Sequence, residues 1–124
     1  MALFERGGLE NDTGLLKERW GQDGSELVNL VYSGHVDTTL HTVTAGKRLF
    51  IKTITVTNGS TTSGGASVKD GGSGGTVKAG LRVGNTMGTY NDMTFDSPLF
   101  FDTDVYMDMF VGGSINVTIT GWEE

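Results

Sequence analysis

The chain has no cysteine among its 124 residues, a single proline (Pro98) and two histidines. The missing thiols exclude a disulfide framework, thiolate zinc sites and cysteine nucleophiles. With one proline the chain fits neither a collagen repeat nor a Pro-rich disordered class. No run approaches the ~18 apolar residues of a membrane span, and the opening MALFERGGLEND has no basic start followed by an apolar stretch. The chain therefore reads as soluble and unsecreted. Nine basic against fifteen acidic residues leave a net charge of −6, which repels phosphate backbones and argues against nucleic acid as a partner.

What is present is glycine, at 20 positions, and threonine, at 17. Abundant Thr with little Ala, Glu or Leu favours strands, because β-branched side chains keep their preferred rotamers on a pleated surface. Residues 1–26 stand apart from the rest: five glycines scattered among six acids and three bases, with Leu3, Phe4, Leu9, Leu15, Leu16 and Trp20 spaced without a period. This composition predicts an extended N-terminal arm. Such large apolar groups are unusual in a segment that packs on nothing, so these six residues are the candidate contacts with another chain.

From Leu27 onward strand signals crowd together. Leu27–Ser33 and Val36–Val43 are separated by Ser33-Gly34, and Thr44-Ala45-Gly46 marks a turn. In residues 47–58 the apolar parity switches from Leu49 and Ile51 to Ile54 and Val56, which predicts a bulge near Lys52-Thr53, where the strand bends and passes between sheets. Val77/Ala79/Leu81/Val83, Val105/Met107/Met109/Val111 and Ile115/Val117/Ile119 each alternate as one buried face. Thr89–Phe95 and Pro98–Phe101 complete the set, with Pro98 at a strand start or sheet edge. Ala66–Asp70 reads as a short strand between two Gly-rich loops. Eight or nine strands in residues 27–124 predict one all-β domain, an antiparallel two-sheet sandwich of jelly-roll type.

Three stretches resemble small β-sandwich virion proteins of tailed bacteriophages: VTAGKRLFIKTITVTN at 43–58, DSPLF at 96–100, and INVTITGWEE at 115–124. In that group an "x-A-G-K-R" turn leads a long strand, a Gly/Thr-rich hairpin follows, and the chain closes on "G-(aromatic)-E-E". The resemblance spans roughly residues 36–124 and leaves out the arm. It implies a capsid decoration (cement) protein on the capsid exterior, or a neck, tail or head-fibre component, made in the host cytoplasm. Proteins of this kind commonly form trimers, and some grip neighbours with terminal arms, so the implied partners are further copies of the chain and the major capsid protein or another virion protein.

Chemistry-bearing residues are sparse. His35, Asp37 and His41 fall on one side of a strand and could ligate a metal, or they form an exposed polar face. Asp102-Thr103-Asp104 is the best oxygen-ligand fragment for Ca²⁺, or a plain turn between strands. No G-x-S-x-G occurs, and Gly71–Gly75 precedes no helix that could receive phosphate. No cofactor is expected, and the chain reads as a non-enzyme.

All six bases after the arm lie between Lys47 and Arg82, while Asp92–Glu124 holds seven acids and no base. That asymmetry gives either two oppositely charged faces suited to head-to-tail contacts or neutralisation within one subunit. Both parities of VYMDMFV at 105–111 carry large apolar groups, which makes Tyr106, Asp108 and Phe110, with Trp122, the candidate interface on the sandwich. A carbohydrate-binding module using Tyr32, Tyr90 and Trp122 is the alternative from another class. An enzyme built on His35, Asp37 and His41 is the third.

Overall fold

The computed structural model describes residues 26–110 and 112–124. The arm residues Leu3, Phe4, Leu9, Leu15, Leu16 and Trp20, and Val111, lie outside the described residues. Among the described residues eight strands follow one another: β1 (Glu26–Gly34), β2 (Thr38–Thr42), β3 (Leu49–Asn58), β4 (Gly64–Asp70), β5 (Thr76–Val83), β6 (Tyr90–Phe101), β7 (Asp104–Met109) and β8 (Ile115–Glu123), with a 3-10 turn at Gly72–Gly74 joining β4 to β5.

The strands form two four-stranded sheets. Sheet one has the order β1-β8-β3-β6 and sheet two the order β2-β7-β4-β5. Strand β1 pairs with β8, β2 with β7, β3 with β6 and β4 with β5, all antiparallel. The chain is thus one long antiparallel ribbon, doubled back at the β4–β5 connection and wrapped so that successive strand pairs fall alternately on the two sheets. This is a jelly roll.

The inner faces meet in one core. From sheet one, Leu49, Ile51, Ile54, Val56, Phe101, Ile115, Val117 and Ile119 are buried; from sheet two, Ala66, Val68, Leu81, Val83, Val105 and Met107 are buried. Each fully buried Leu, Ile, Val or Phe contributes about 1.5–3 kcal/mol. The parity switch in β3 is a bulge, since its pairing with both β6 and β8 shifts between Ile51 and Thr53. The strand does not change sheets there; both halves stay between β6 and β8. On the β6 side the irregularity is larger, because Ile51 faces Leu99 and Thr53 faces Thr94, leaving Phe95–Pro98 opposite Lys52 alone. The Lys52 ammonium donates to the Phe95 carbonyl at 2.8 Å and holds this excursion in place.

Thr89–Phe95 and Pro98–Phe101 are therefore one strand interrupted by a bulge, not two. Pro98 sits on an edge strand, where its missing N–H leaves no neighbour unpaired. In β5 the buried face is shorter than its alternation implies: Leu81 and Val83 are buried, but Val77 is 55% exposed. The register slips between Val68 and Lys69 of β4, and Val77 pairs with Lys69 past that slip.

Candidate interaction surface

Strand register brings four apolar side chains into one row on the outer face of sheet one. Leu27 faces Trp122, Trp122 faces Phe50, and Phe50 faces Phe100, so the row crosses β1, β8, β3 and β6 in turn. The Phe50 and Trp122 rings stack with centroids 5.4 Å apart and planes inclined by 19°. Two cations close the β6 end: the Arg48 guanidinium lies 4.4 Å and the Lys78 ammonium 4.3 Å from the Phe100 ring centre. Leu27 remains 53% and Phe100 42% exposed. The Trp122 indole N–H donates to Glu124 at 3.1 Å.

Further along the same face the composition changes to hydroxyls. Thr53 lies between Thr94 and Thr120, and Thr55 beside Thr118. The Thr53 and Thr120 hydroxyls bond across the strands, and at the far end the Ser33 hydroxyl donates to Asn116 Oδ1 at 2.7 Å. The face is apolar at one end and hydroxyl-rich over the rest.

The interface residues expected from the sequence divide between two sides of the sandwich. Trp122 is on sheet one, whereas Tyr106, Asp108 and Phe110 belong to the outer side of sheet two. There Asp108 is engaged within the chain by the Lys69 ammonium at 2.5 Å. Phe110 lies over Gly65, its ring 2.9 Å from where a Cβ on Gly65 would stand. The Arg82 guanidinium covers Phe110 from 4.7 Å. The second cover expected for this strand is thus supplied in part by the chain itself.

His35, Asp37 and His41 do not converge. His35 is exposed, Asp37 Oδ1 accepts the Met109 N–H at 2.7 Å, and His41 Nε2 lies 2.5 Å from Glu123 Oε2. Glu123 is 2% exposed and also accepts the Thr44 N–H at 3.3 Å. Its burial pushes the pKa up, but hydrogen bonds from His41 and Thr44 outweigh that and hold the carboxyl below its usual value. Among the described residues no group of three or more His, Cys, Asp or Glu side chains could hold a metal ion. Glu123 was missed at the sequence level, although it shares the odd parity of Ile115, Val117 and Ile119 and therefore points inward.

The Asp102–Asp104 segment is a turn whose backbone is bound to Asp70. Basic and acidic segments also interleave: Arg48 pairs with Asp102 at 2.7 Å and Lys69 with Asp108. Part of the charge asymmetry is therefore neutralised within the subunit. The aromatic residues of the carbohydrate reading are dispersed. Tyr32 packs against the core and its hydroxyl bonds to the Val36 backbone, while Tyr90 faces Thr57, seven residues along β3 from the Phe50 that stacks on Trp122.

The chain matches no protein-family model, no curated protein and no solved structure. Among the described residues no helix is long and apolar enough to cross a membrane.

Proposed function

We propose that this chain is a non-enzymatic virion structural protein, a decoration (cement) protein that forms homotrimers and stabilises a bacteriophage shell from outside. The observation that carries this reading is the apolar row Leu27, Trp122, Phe50 and Phe100 on the outer face of sheet one, whose two ends, Leu27 and Phe100, are 53% and 42% exposed. A cement protein acts by adding buried area across boundaries between capsid subunits. Each aromatic anchor fully buried in such a contact contributes about 1.5–3 kcal/mol. The jelly roll supports the reading by analogy, since viral capsid domains use it; lectins and cupins use it too, so the fold alone does not choose among them.

The partners are further copies of the chain and the major capsid protein, with the N-terminal arm as a second point of attachment. Gold-labelled antibody against the purified chain tests the reading on particles released by cells that carry its coding sequence. Label over the head supports decoration. Label confined to the neck, tail or fibres moves the role to those parts, and unlabelled particles refute a virion role.

A further inference from the structure

Asn58 ends β3 and is a buried polar residue, 2% exposed. Both polar atoms of its side chain are engaged. Oδ1 accepts the Ser60 N–H at 2.8 Å and the Ser60 hydroxyl at 3.3 Å, while Nδ2 donates to the Thr62 carbonyl at 3.1 Å and to the Gly84 carbonyl. Along the backbone, the Asn58 N–H donates to the Thr89 carbonyl at 2.8 Å and the Asn58 carbonyl accepts the Gly88 N–H at 3.1 Å. One residue therefore ties the β3–β4 connection to the β5–β6 connection. The next amide, Gly59 N–H, donates to the Ser114 carbonyl at 3.0 Å and brings in the β7–β8 connection.

This junction is built on the chain's single Asn-Gly step. In that pair the backbone nitrogen reaches the preceding side chain most easily, because glycine has no Cβ to obstruct the approach and the freest backbone to make it. We propose that Asn58 is a latent site of spontaneous deamidation, held silent by the three connections it joins and released when that end of the sandwich opens, after which the end cannot close again. In the closed structure the attacking nitrogen is bonded to Ser114 and the amide it would attack is fixed by Ser60, Thr62 and Gly84.

Once the bonds open, the Gly59 nitrogen attacks Asn58 Cγ. A C–N bond forms, the Cγ–Nδ2 bond breaks, and Nδ2 leaves as ammonia with the proton given up by Gly59. Water then opens one or the other carbonyl of the resulting succinimide, yielding aspartate or isoaspartate with no oxidant or reductant involved. Neither product fits the site. Aspartate places a carboxylate oxygen, an acceptor, where Nδ2 donated to the Thr62 and Gly84 carbonyls, and it does so in a position that is 2% exposed. Isoaspartate lengthens the main chain by one carbon between the Asn58 and Gly59 amides, whose partners Thr89 and Ser114 lie on two different connections. Opening is thereby made irreversible. This inference does not depend on the virion role.

The full chain, held at mildly alkaline pH either native or unfolded in guanidinium chloride, provides the test. Peptide mapping by mass spectrometry reads deamidation as the mass gain of NH2 replaced by OH, and a methyltransferase specific for isoaspartate reads the isomer. Asn58 is expected to convert at least about a hundredfold more slowly in the native sample, where reaction must wait for opening. Equal rates would overturn the proposal. When the denaturant is removed, chains modified at Asn58 should fail to regain the native fold while unmodified chains in the same sample refold; modified chains with the native melting temperature would also overturn it. Gly59→Ala separates this chemistry from other losses. Gly59 lacks a positive φ, and the added carbon would stand 3.2 Å from Asn116 Nδ2, a side-chain end that can shift, so the variant should fold. Its Cβ obstructs the attack in the unfolded chain, and after long unfolding its refolded yield should exceed that of the unmodified chain. Equal yields would mean that refolding is lost by another route and would refute the assignment.

Discussion

Asp70 and Asp104 each bind the loop that carries the other. The Asp70 carboxylate accepts the N–H groups of Asp102 (2.9 Å), Thr103 (2.9 Å) and Asp104 (3.2 Å), while Asp104 Oδ1 accepts those of Gly71 (2.9 Å) and Gly72 (3.1 Å). Gly71 and Gly72 have φ of 107° and 77°, values that L side chains rarely adopt and that let two successive amides turn toward one carboxylate. The turn from β6 to β7, which links the two sheets, is thereby tied to the end of the β4–β5 hairpin.

Removing the Asp70 carboxylate leaves three amides without their acceptor. Asp70→Ala should lower the unfolding free energy by about 2 kcal/mol, and Asp70→Asn, which keeps one carbonyl acceptor, by roughly half as much. Urea denaturation checks this through a lower midpoint at unchanged slope. An unchanged midpoint for Asp70→Ala would show that solvent replaces the carboxylate without loss.

The same carboxyl sets part of the response to acid. Burial raises the Asp70 pKa, but the three backbone donors and the nearby Lys78 charge outweigh it and hold the group below its ordinary value, as His41 and Thr44 do for Glu123. A carboxyl with a depressed folded-state pKa contributes stability that is complete above its unfolded value and is lost as pH falls through its folded value. The melting temperature should therefore fall progressively below about pH 4, with both groups contributing. Glu123→Gln should flatten part of that acid decline, measured as melting temperature against pH. A decline as steep as in the unmodified chain would remove Glu123 from the account.

Much of the architecture is legible in alternation alone. The odd parity of Ile115, Val117 and Ile119 and the switch between Ile51 and Ile54 give strand, buried face and bulge without any knowledge of neighbours, because side-chain direction in a strand is a local property. Strand order is not local, and the row on sheet one depends on it. Trp122, Phe50, Phe100 and Leu27 lie far apart in sequence, and only the pairing of β8 with both β1 and β3, and of β3 with β6, makes them neighbours. The same reason hid the partner of His41: the sequence places it near Asp37, whereas the sandwich places it on Glu123. Sheet membership also escaped the parity argument, since a bulge within β3 and a crossing between sheets produce the same switch.

At Gly121 the β3 bulge has a direct consequence. A Cβ there would strike the Phe50 carbonyl oxygen and stand 2.9 Å from Ile51 Cα, both of them backbone atoms that cannot swing aside. Gly121→Ala should cost about 3 kcal/mol or more, since the central pairing of sheet one must shift to admit one methyl group. Thermal unfolding by circular dichroism checks it, with Gly80→Ala as comparison, where nothing stands within 4 Å of the added carbon. Equal melting temperatures for the two variants would mean that β3 gives way freely at its bulge.

The apolar row is the part of the surface on which the virion reading depends. Trp122 stacks on Phe50, so replacing one of them removes intrachain contact as well as docking surface, whereas Phe100 lies at the edge strand and Leu27 at the other, both more than two-fifths exposed. Leu27→Asp with Phe100→Asp should therefore leave the fold standing while setting two charges where a partner would have to strip them of water. The expected outcome is a native mass that falls from trimer to monomer, or a trimer that no longer binds the shell, with circular dichroism unchanged. If a trimer and shell attachment are found in the unmodified chain and persist in the double variant, the contacts of the virion reading must be made elsewhere, through the Tyr106 face of sheet two or through the N-terminal arm, residues 1–26.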